Sequence, residues 1–399
     1  MAVYPVKWFS SDMQGAPSLG DTTEGALTAL LKAVLVTGFG TLTINALSFD
    51  AAKGWAVATF SGGHKYLQDS VVQVDGVSPA AYNGEHRVMQ ITATQVWFEL
   101  DGGDPGDPGN GAAMTMKVAP LGWTITHESG NGQIFIVRPT NVSESGNVSL
   151  RIDNTAFSGW SGTYSAYLAK VAMVEDVVDI NSYTTIYEHR WPATKRYSNG
   201  RWDLIGDNQL FYFLPAYAAA NNQFVYSFGY IRSIRPGDRY HAVMNWYPTT
   251  DVNDSNRRWA SGVGASYSNY GNQYPLFDNA DEVLARPYSQ LFGATTWVMK
   301  GLFGMIGAGL PVPNPVDNGF YVSTDPIMVI ESSGAFRGYL PGLVVPYGTV
   351  SGWNRKNFAN MPAIPNKLIR FISAGFSLSQ AAQAPQVTMM GFDLTGPWR

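Results

Sequence analysis

The chain has 399 residues, enough for two or three domains and a sizeable core. Lysine plus arginine number 26 against 30 aspartates and glutamates, a net charge of −4, which argues against a strongly basic nucleic-acid binder. Only 14% of residues are charged, aromatics reach 13% and cysteine is absent, so disulfides, thiol nucleophiles and cysteine metal sites are excluded.

An average soluble domain is about 25% charged. Low charge, many aromatics, 42 glycines and 23 prolines together predict a β-rich protein that hides much of its surface against partners. The first residues, Met1 to Trp8, hold no continuous apolar stretch of the kind a secretory leader needs. Synthesis and assembly in a cytoplasm are therefore expected.

The clearest helix signal runs from Asp21 to Val36. Asp21 is placed to cap it, with Glu24 completing a capping-box-like start. Leu27, Leu30, Leu31, Val34 and Leu35 follow the spacing of one buried face, and Gly38 and Gly40 stop the helix.

The period then changes to two. Strands are expected at Trp55–Phe60, Val71–Val74, Arg87–Thr94, Gln95–Leu100 and Met114–Val118, separated by glycine, proline, asparagine and aspartate. The pattern restarts near 120. Strands are expected at Gln133–Arg138, Val148–Asp153, Tyr164–Val174, Tyr183–His189, Gln209–Leu214, Phe224–Ile234 and Arg239–Tyr247. Five more follow at Gly319–Ser323, Ile327–Glu331, Ala335–Val345, Leu368–Ser373 and Val387–Leu394.

The reading is mainly β. A small N-terminal β barrel or sandwich with one helix spans 1–122, and a larger, sandwich-like β-rich domain spans 123–399. An aromatic, polar insertion interrupts the second domain around 248–290. The apolar run Leu291–Val312 is long enough for a membrane span but carries Lys300 and four glycines, so it is read as a buried loop or strand pair.

Catalytic patterns are missing. No two of the five histidines lie within five residues, so there is no short zinc signature. Gly159-Trp160-Ser161-Gly162 has Thr163 where a nucleophile elbow needs glycine. No Gly-Lys-Ser/Thr phosphate loop occurs, and Gly262-Val263-Gly264 meets Tyr267 where a dinucleotide loop has its third glycine. The carboxylate clusters Glu175, Asp176, Asp179 and Asp281, Glu282 are read as solvated edges, because neighbours on a strand face opposite ways. No catalytic residue and no cofactor are expected.

Asp101, Asp104 and Asp107 form the one acidic cluster with a metal-like look. Their spacing of three, with no distal glutamate in the loop, makes them a weak calcium site and favours a hairpin tip. The best interaction candidates lie in the insertion and just before it: Trp246, Tyr247, Arg257, Arg258, Trp259, Tyr267, Tyr270 and Tyr274. Tyrosine, tryptophan and arginine dominate interface energetics, and aromatic platforms beside asparagine and aspartate also suit sugars.

Several stretches between Lys7 and Asn154 carry one common likeness. The first is Lys7-Trp8-Phe9-Ser10-Ser11-Asp12-Met13-Gln14-Gly15-Ala16-Pro17, followed by the helix and Leu35-Val36-Thr37-Gly38-Phe39-Gly40. The second is Trp55-Ala56-Val57-Ala58-Thr59, then Gly63-His64-Lys65-Tyr66, then the run Asp75 to Val88 with its Asn83-Gly84 pair. With Lys117 to Trp123 and Arg151-Ile152-Asp153-Asn154, these stretches resemble a family of tailed-bacteriophage and prophage virion proteins. Residues 160–399 carry no such likeness.

The resemblance implies a non-enzymatic structural component of a tailed-phage virion, in the tail or at its tip or baseplate. It would pack against copies of itself and other virion proteins, with a host glycan or receptor as a further contact. Nucleic acid and a membrane span are not expected. Two rivals are a capsid-decorating or head–tail junction protein and a carbohydrate-binding adsorption protein.

Overall fold

The structure is a computed structural model that describes residues 4–19, 23–108, 113–156, 168–193, 200–216, 223, 225–245, 282–300, 314–319, 321–346, 351–362, 364–373 and 389–399. Strand accounts for 51% and helix for 7%, so the mainly-β reading stands. Among the described residues four antiparallel sheets carry the fold, and none of them closes into a barrel.

The expected helix forms over Ala26–Lys32 and continues as a π-helical segment, Ala33–Thr37. Its predicted face is the buried one: Leu27, Leu30, Leu31, Val34 and Leu35 are all solvent-free. The expected cap is not the observed one. Asp21 lies outside the described residues, and the helix starts after Gly25, whose φ of 79° no capping side chain accompanies. The free backbone N–H of Leu27 instead donates to Asn154 Oδ1 at 2.9 Å. At the other end the carbonyls of Val34 and Leu35 accept from the N–H groups of Leu121 and Gly122. Both helix ends are thus satisfied from far along the chain.

A seven-stranded sheet follows in the spatial order Phe39–Thr43, Thr115–Val118, Val71–Asp75, Gly84–Ile91, Gln95–Glu99, Trp55–Thr59 and Ala46–Asp50. Its two edge strands are consecutive in the chain. The linking residues Ile44 and Asn45 donate their N–H groups to Met114 O and Thr59 O. The sheet therefore curls until its edges meet through the chain.

A five-stranded meander comes next: Trp123–Glu128, Ile134–Pro139, Ser149–Asp153, Leu168–Asp179 and Ser182–Pro192. The longest sheet has ten strands, ordered Lys7–Ser10, Trp202–Gly206, Leu210–Pro215, Tyr226–Tyr230, Ala242–Asn245, Glu282–Leu284, Thr295–Lys300, Ile327–Glu331, Phe336–Leu340 and Arg232–Ser233. A C-terminal sheet holds Val322–Ser323, Leu343–Pro346, Met389–Asp393, Ile364–Ser373 and Lys356–Met361.

Residue 122, the expected domain boundary, lies between the seven-stranded sheet and the meander. Lys7–Ser10 pairs with Trp202–Gly206, and one apolar cluster runs from Val6 to Trp398. Buried aromatics stitch the layers. Trp191 Nε1 donates to Asn245 O at 2.7 Å, Trp123 Nε1 to Asp207 O at 3.0 Å and Trp202 Nε1 to Pro17 O at 2.8 Å. Tyr212 and Tyr230 donate their hydroxyls to Pro341 O and Val148 O. Each ring fills core while its polar atom satisfies a carbonyl on another element.

Asp153 pairs with Lys170, Asn245 with Glu282 and Ser373 with Met389, so the strand ends flanking residues 157–167, 246–281 and 374–388 are joined in register. Trp191 and Asn245 hold two of these ends together. The opposite end of the same strands carries short turns, and the site described next lies there.

Candidate functional site

Arg337 sits mid-strand with no exposed surface. Its Nη2 donates to Asp238 Oδ2 at 2.8 Å, and its Nη1 to Glu331 Oε1 at 2.5 Å and to Arg286 O at 2.6 Å. Asp238 also accepts from Ser233 Oγ and from the N–H of Tyr240. Burial pushes the Asp238 carboxyl up, but the hydrogen bond and charge of Arg337 outweigh it and hold the group below its ordinary value.

Arg286 extends the cluster outward. Its Nη2 meets Glu175 Oε1 at 2.6 Å, and its guanidinium lies 4.4 Å from the Tyr240 ring centroid and 4.8 Å from that of Phe292. Burial opposes the charge of Arg286, and Glu175 and Tyr240 together raise its pKa. Glu175, expected at a solvated edge, is thus a buried ion-pair partner, while Asp176 and Asp179 are exposed as expected. A guanidinium can satisfy this site because it is flat, stacks on rings and forks toward carboxylates.

On this buried frame stands an apolar tip. Leu291 is 70% exposed and Phe292 69%, with Tyr288 and Ile234 also exposed. Val178, at the end of the hairpin that supplies Glu175, is 73% exposed. The turn is ordered locally: Gln290 N–H donates to Pro287 O at 2.8 Å, and Arg235 stacks on the Tyr288 ring and donates to its carbonyl. The N–H of Ile234 donates to Arg337 O at 3.1 Å. The run from Leu291, expected as a buried loop or strand pair, opens with Leu291 and Phe292 in solvent before Thr295–Lys300 enters the long sheet, and its residues 301–312 lie outside the described residues.

A second buried cluster fixes the first strand to the C-terminal sheet. Asp203 accepts from Arg355 Nε, Arg370 Nη2 and Gln223 Nε2, each at 2.8 Å. Arg355 continues to Asp12 at 2.7 Å, and Arg370 lies 4.0 Å from the Trp8 ring centroid. This cluster ties elements together.

The residues singled out from sequence fare unevenly. Trp246, Tyr247, Arg257, Arg258, Trp259, Tyr267, Tyr270 and Tyr274 all lie outside the described residues. Asp101, Asp104 and Asp107 are exposed, and Asp104 Oδ1 accepts from the N–H of Gly106 at 2.9 Å. Among the described residues no group of three or more histidine, aspartate or glutamate side chains is placed to hold a metal ion. The carbonyl of Gly106 accepts from Tyr82 Oη at 2.9 Å.

Arg286, Arg337 and Asp238 escaped the sequence reading. The available signal was an arginine in the apolar strand Phe336–Leu340 of a chain that otherwise avoids charge. Among the described residues no helix is long and apolar enough to cross a membrane. Compared with known proteins, the chain matches no family model and no curated sequence.

Proposed function

We propose that the chain is a non-enzymatic structural component of a tailed-phage virion, in the tail or at its tip or baseplate. It works by packing against copies of itself and against other virion proteins. The observation that carries this reading is the tip of Val178, Ile234, Tyr288, Leu291 and Phe292, which exposes large apolar side chains on a frame of buried ion pairs. Exposed apolar patches mark interaction sites, and a pre-ordered patch loses little conformational freedom on docking. The likeness of residues between Lys7 and Asn154 to virion proteins gives the assembly its class.

Imaging of purified particles with an antibody to this chain tests the reading. Label at the tail or its tip is the expected result. An infectious particle that contains no copy of the chain would overturn it, as would turnover of a polymer or small molecule by the purified protein. Label on the capsid shell would favour the decoration reading instead.

A further inference from the structure

A cleft of about 220 Å³ opens where the short strand Arg232–Ser233, the Pro341–Gly342 turn and the C-terminal sheet meet. Its floor is apolar, with Leu343, Ile369 and Trp398 buried in it. Gly342 has φ 80°, and a Cβ there would come 2.2 Å from the Trp398 ring, so the glycine lets the indole lie on the backbone.

The rim is charged. Lys367 Nζ pairs with Asp393 Oδ2 at 2.8 Å, which uses both charges. Arg232 is exposed, stacks 5.2 Å from the Tyr339 ring centroid and meets no carboxylate among the described residues within ion-pair distance. The rim therefore carries one surplus positive charge beside an apolar floor.

Elsewhere on the same chain is a turn of complementary make. Val316 is 92% exposed, the most exposed large apolar side chain among the described residues. The turn that holds it is closed by four hydrogen bonds. Val316 N–H donates to Asn314 Oδ1 at 2.9 Å, Asn318 N–H to Asn314 O at 2.7 Å, Gly319 N–H to Asp317 Oδ1 at 2.8 Å and Asn314 N–H to Gly319 O at 2.9 Å. Tyr321 donates its hydroxyl to Asp317, so this carboxylate is fixed in place next to the valine. Val316 stands in solvent, so cleft and turn do not serve each other within one copy.

We propose that the Val316–Asp317 turn of one copy docks into this cleft of a second copy, with Val316 against Leu343 and Trp398 and Asp317 against Arg232. The inference rests on the packing reading given above and names the contact. Burial of the valine supplies the apolar gain, and the aspartate answers the unpaired arginine, whose fork suits a carboxylate. The two surfaces differ, so the contact is heterologous: repeated around an axis it closes a ring, and otherwise it grows a fibre.

Light scattering on the full chain, over roughly micromolar to near-millimolar concentration, tests this. The parent chain is expected to self-associate. Val316→Glu and Arg232→Glu are each expected to raise the midpoint concentration by about tenfold or more, with unchanged thermal midpoints because both sites are exposed. Mixing the two variants is the decisive arm. Val316→Glu keeps an intact cleft and Arg232→Glu an intact turn, so together they should form a one-to-one dimer that neither forms alone. Pairing Asp317→Arg with Arg232→Glu in one chain should recover association.

A chain that stays monomeric throughout overturns the docking. So does association that neither single variant weakens, or a mixture that fails to pair. Those outcomes leave the virion reading to be decided by the particle labelling, whose own failure would not depend on this contact.

Discussion

Arg337 holds a full charge where no water reaches, and its environment sets what a substitution does there. Removing it strands Asp238 and Glu331 in the interior, and breaking a buried pair by deleting one partner costs about 3–5 kcal/mol. Arg337→Ala should therefore lower the urea midpoint sharply. Arg337→Met together with Asp238→Asn and Glu331→Gln should recover much of the loss, because no buried charge then remains unpaired. His241 lies in the same neighbourhood, with Nδ1 2.5 Å from Asp238 O and its ring against Tyr230. Burial pushes its pKa down to about 4, with Asp238 pulling up and Arg399 and Arg337 pulling down. The unfolded chain then binds the proton more readily than the folded one between about pH 6.5 and 4. Stability from this group is complete above that window and drains away as pH falls through it. Urea midpoints at pH 7.5 and pH 5 should differ, and His241→Gln should flatten the difference by a share on the order of 2 kcal/mol.

At the scale of elements, the helix separates what local sequence encodes from what the fold imposes. The spacing of Leu27, Leu30, Leu31, Val34 and Leu35 was legible because one face must be apolar wherever the helix packs. Its caps were not, because Asn154 and the N–H groups of Leu121 and Gly122 reach it only after folding. Asn154→Ala should cost about 1 kcal/mol, the usual value of a lost N-terminal cap, read as a shift in urea midpoint at constant slope. Strands divide in the same way. Ile327–Glu331 alternates buried and half-buried positions and was readable. Lys7–Ser10 and Trp202–Gly206 are buried along their whole length, so they show no period and find each other only through pairing. The stretch Ala335–Val345, read as one strand, breaks into two at Pro341-Gly342, a turn dipeptide that local chemistry did announce. Of the candidate site, the buried arginines were illegible because each has a carboxylate partner far away in the chain. Glu175 and Arg286 are 111 residues apart and Asp238 and Arg337 are 99 apart.

Across the whole molecule, the same low charge and high aromatic content serve two places at once. Inside, Trp123, Trp191 and Trp202 bind layer to layer through carbonyls. Outside, the Leu291–Phe292 tip is apolar with nothing on it among the described residues. These two uses predict opposite responses to polar substitution. A buried indole removed by Trp191→Ala should cost about 3–5 kcal/mol of folding stability. Leu291→Ser should stay within about 0.5 kcal/mol, since an exposed side chain gives up little on folding. Phe292→Ser loses the stack on Arg286 as well, worth about 0.5–1 kcal/mol at a partly exposed site. If the tip serves packing in a particle, Leu291→Ser should leave the thermal midpoint in place while lowering the copies incorporated per particle, counted by quantitative mass spectrometry of purified virions. Normal incorporation of a Leu291→Ser, Val178→Ser double variant would show that the tip is bare surface, and would move the search for the interface to the other end of the strands.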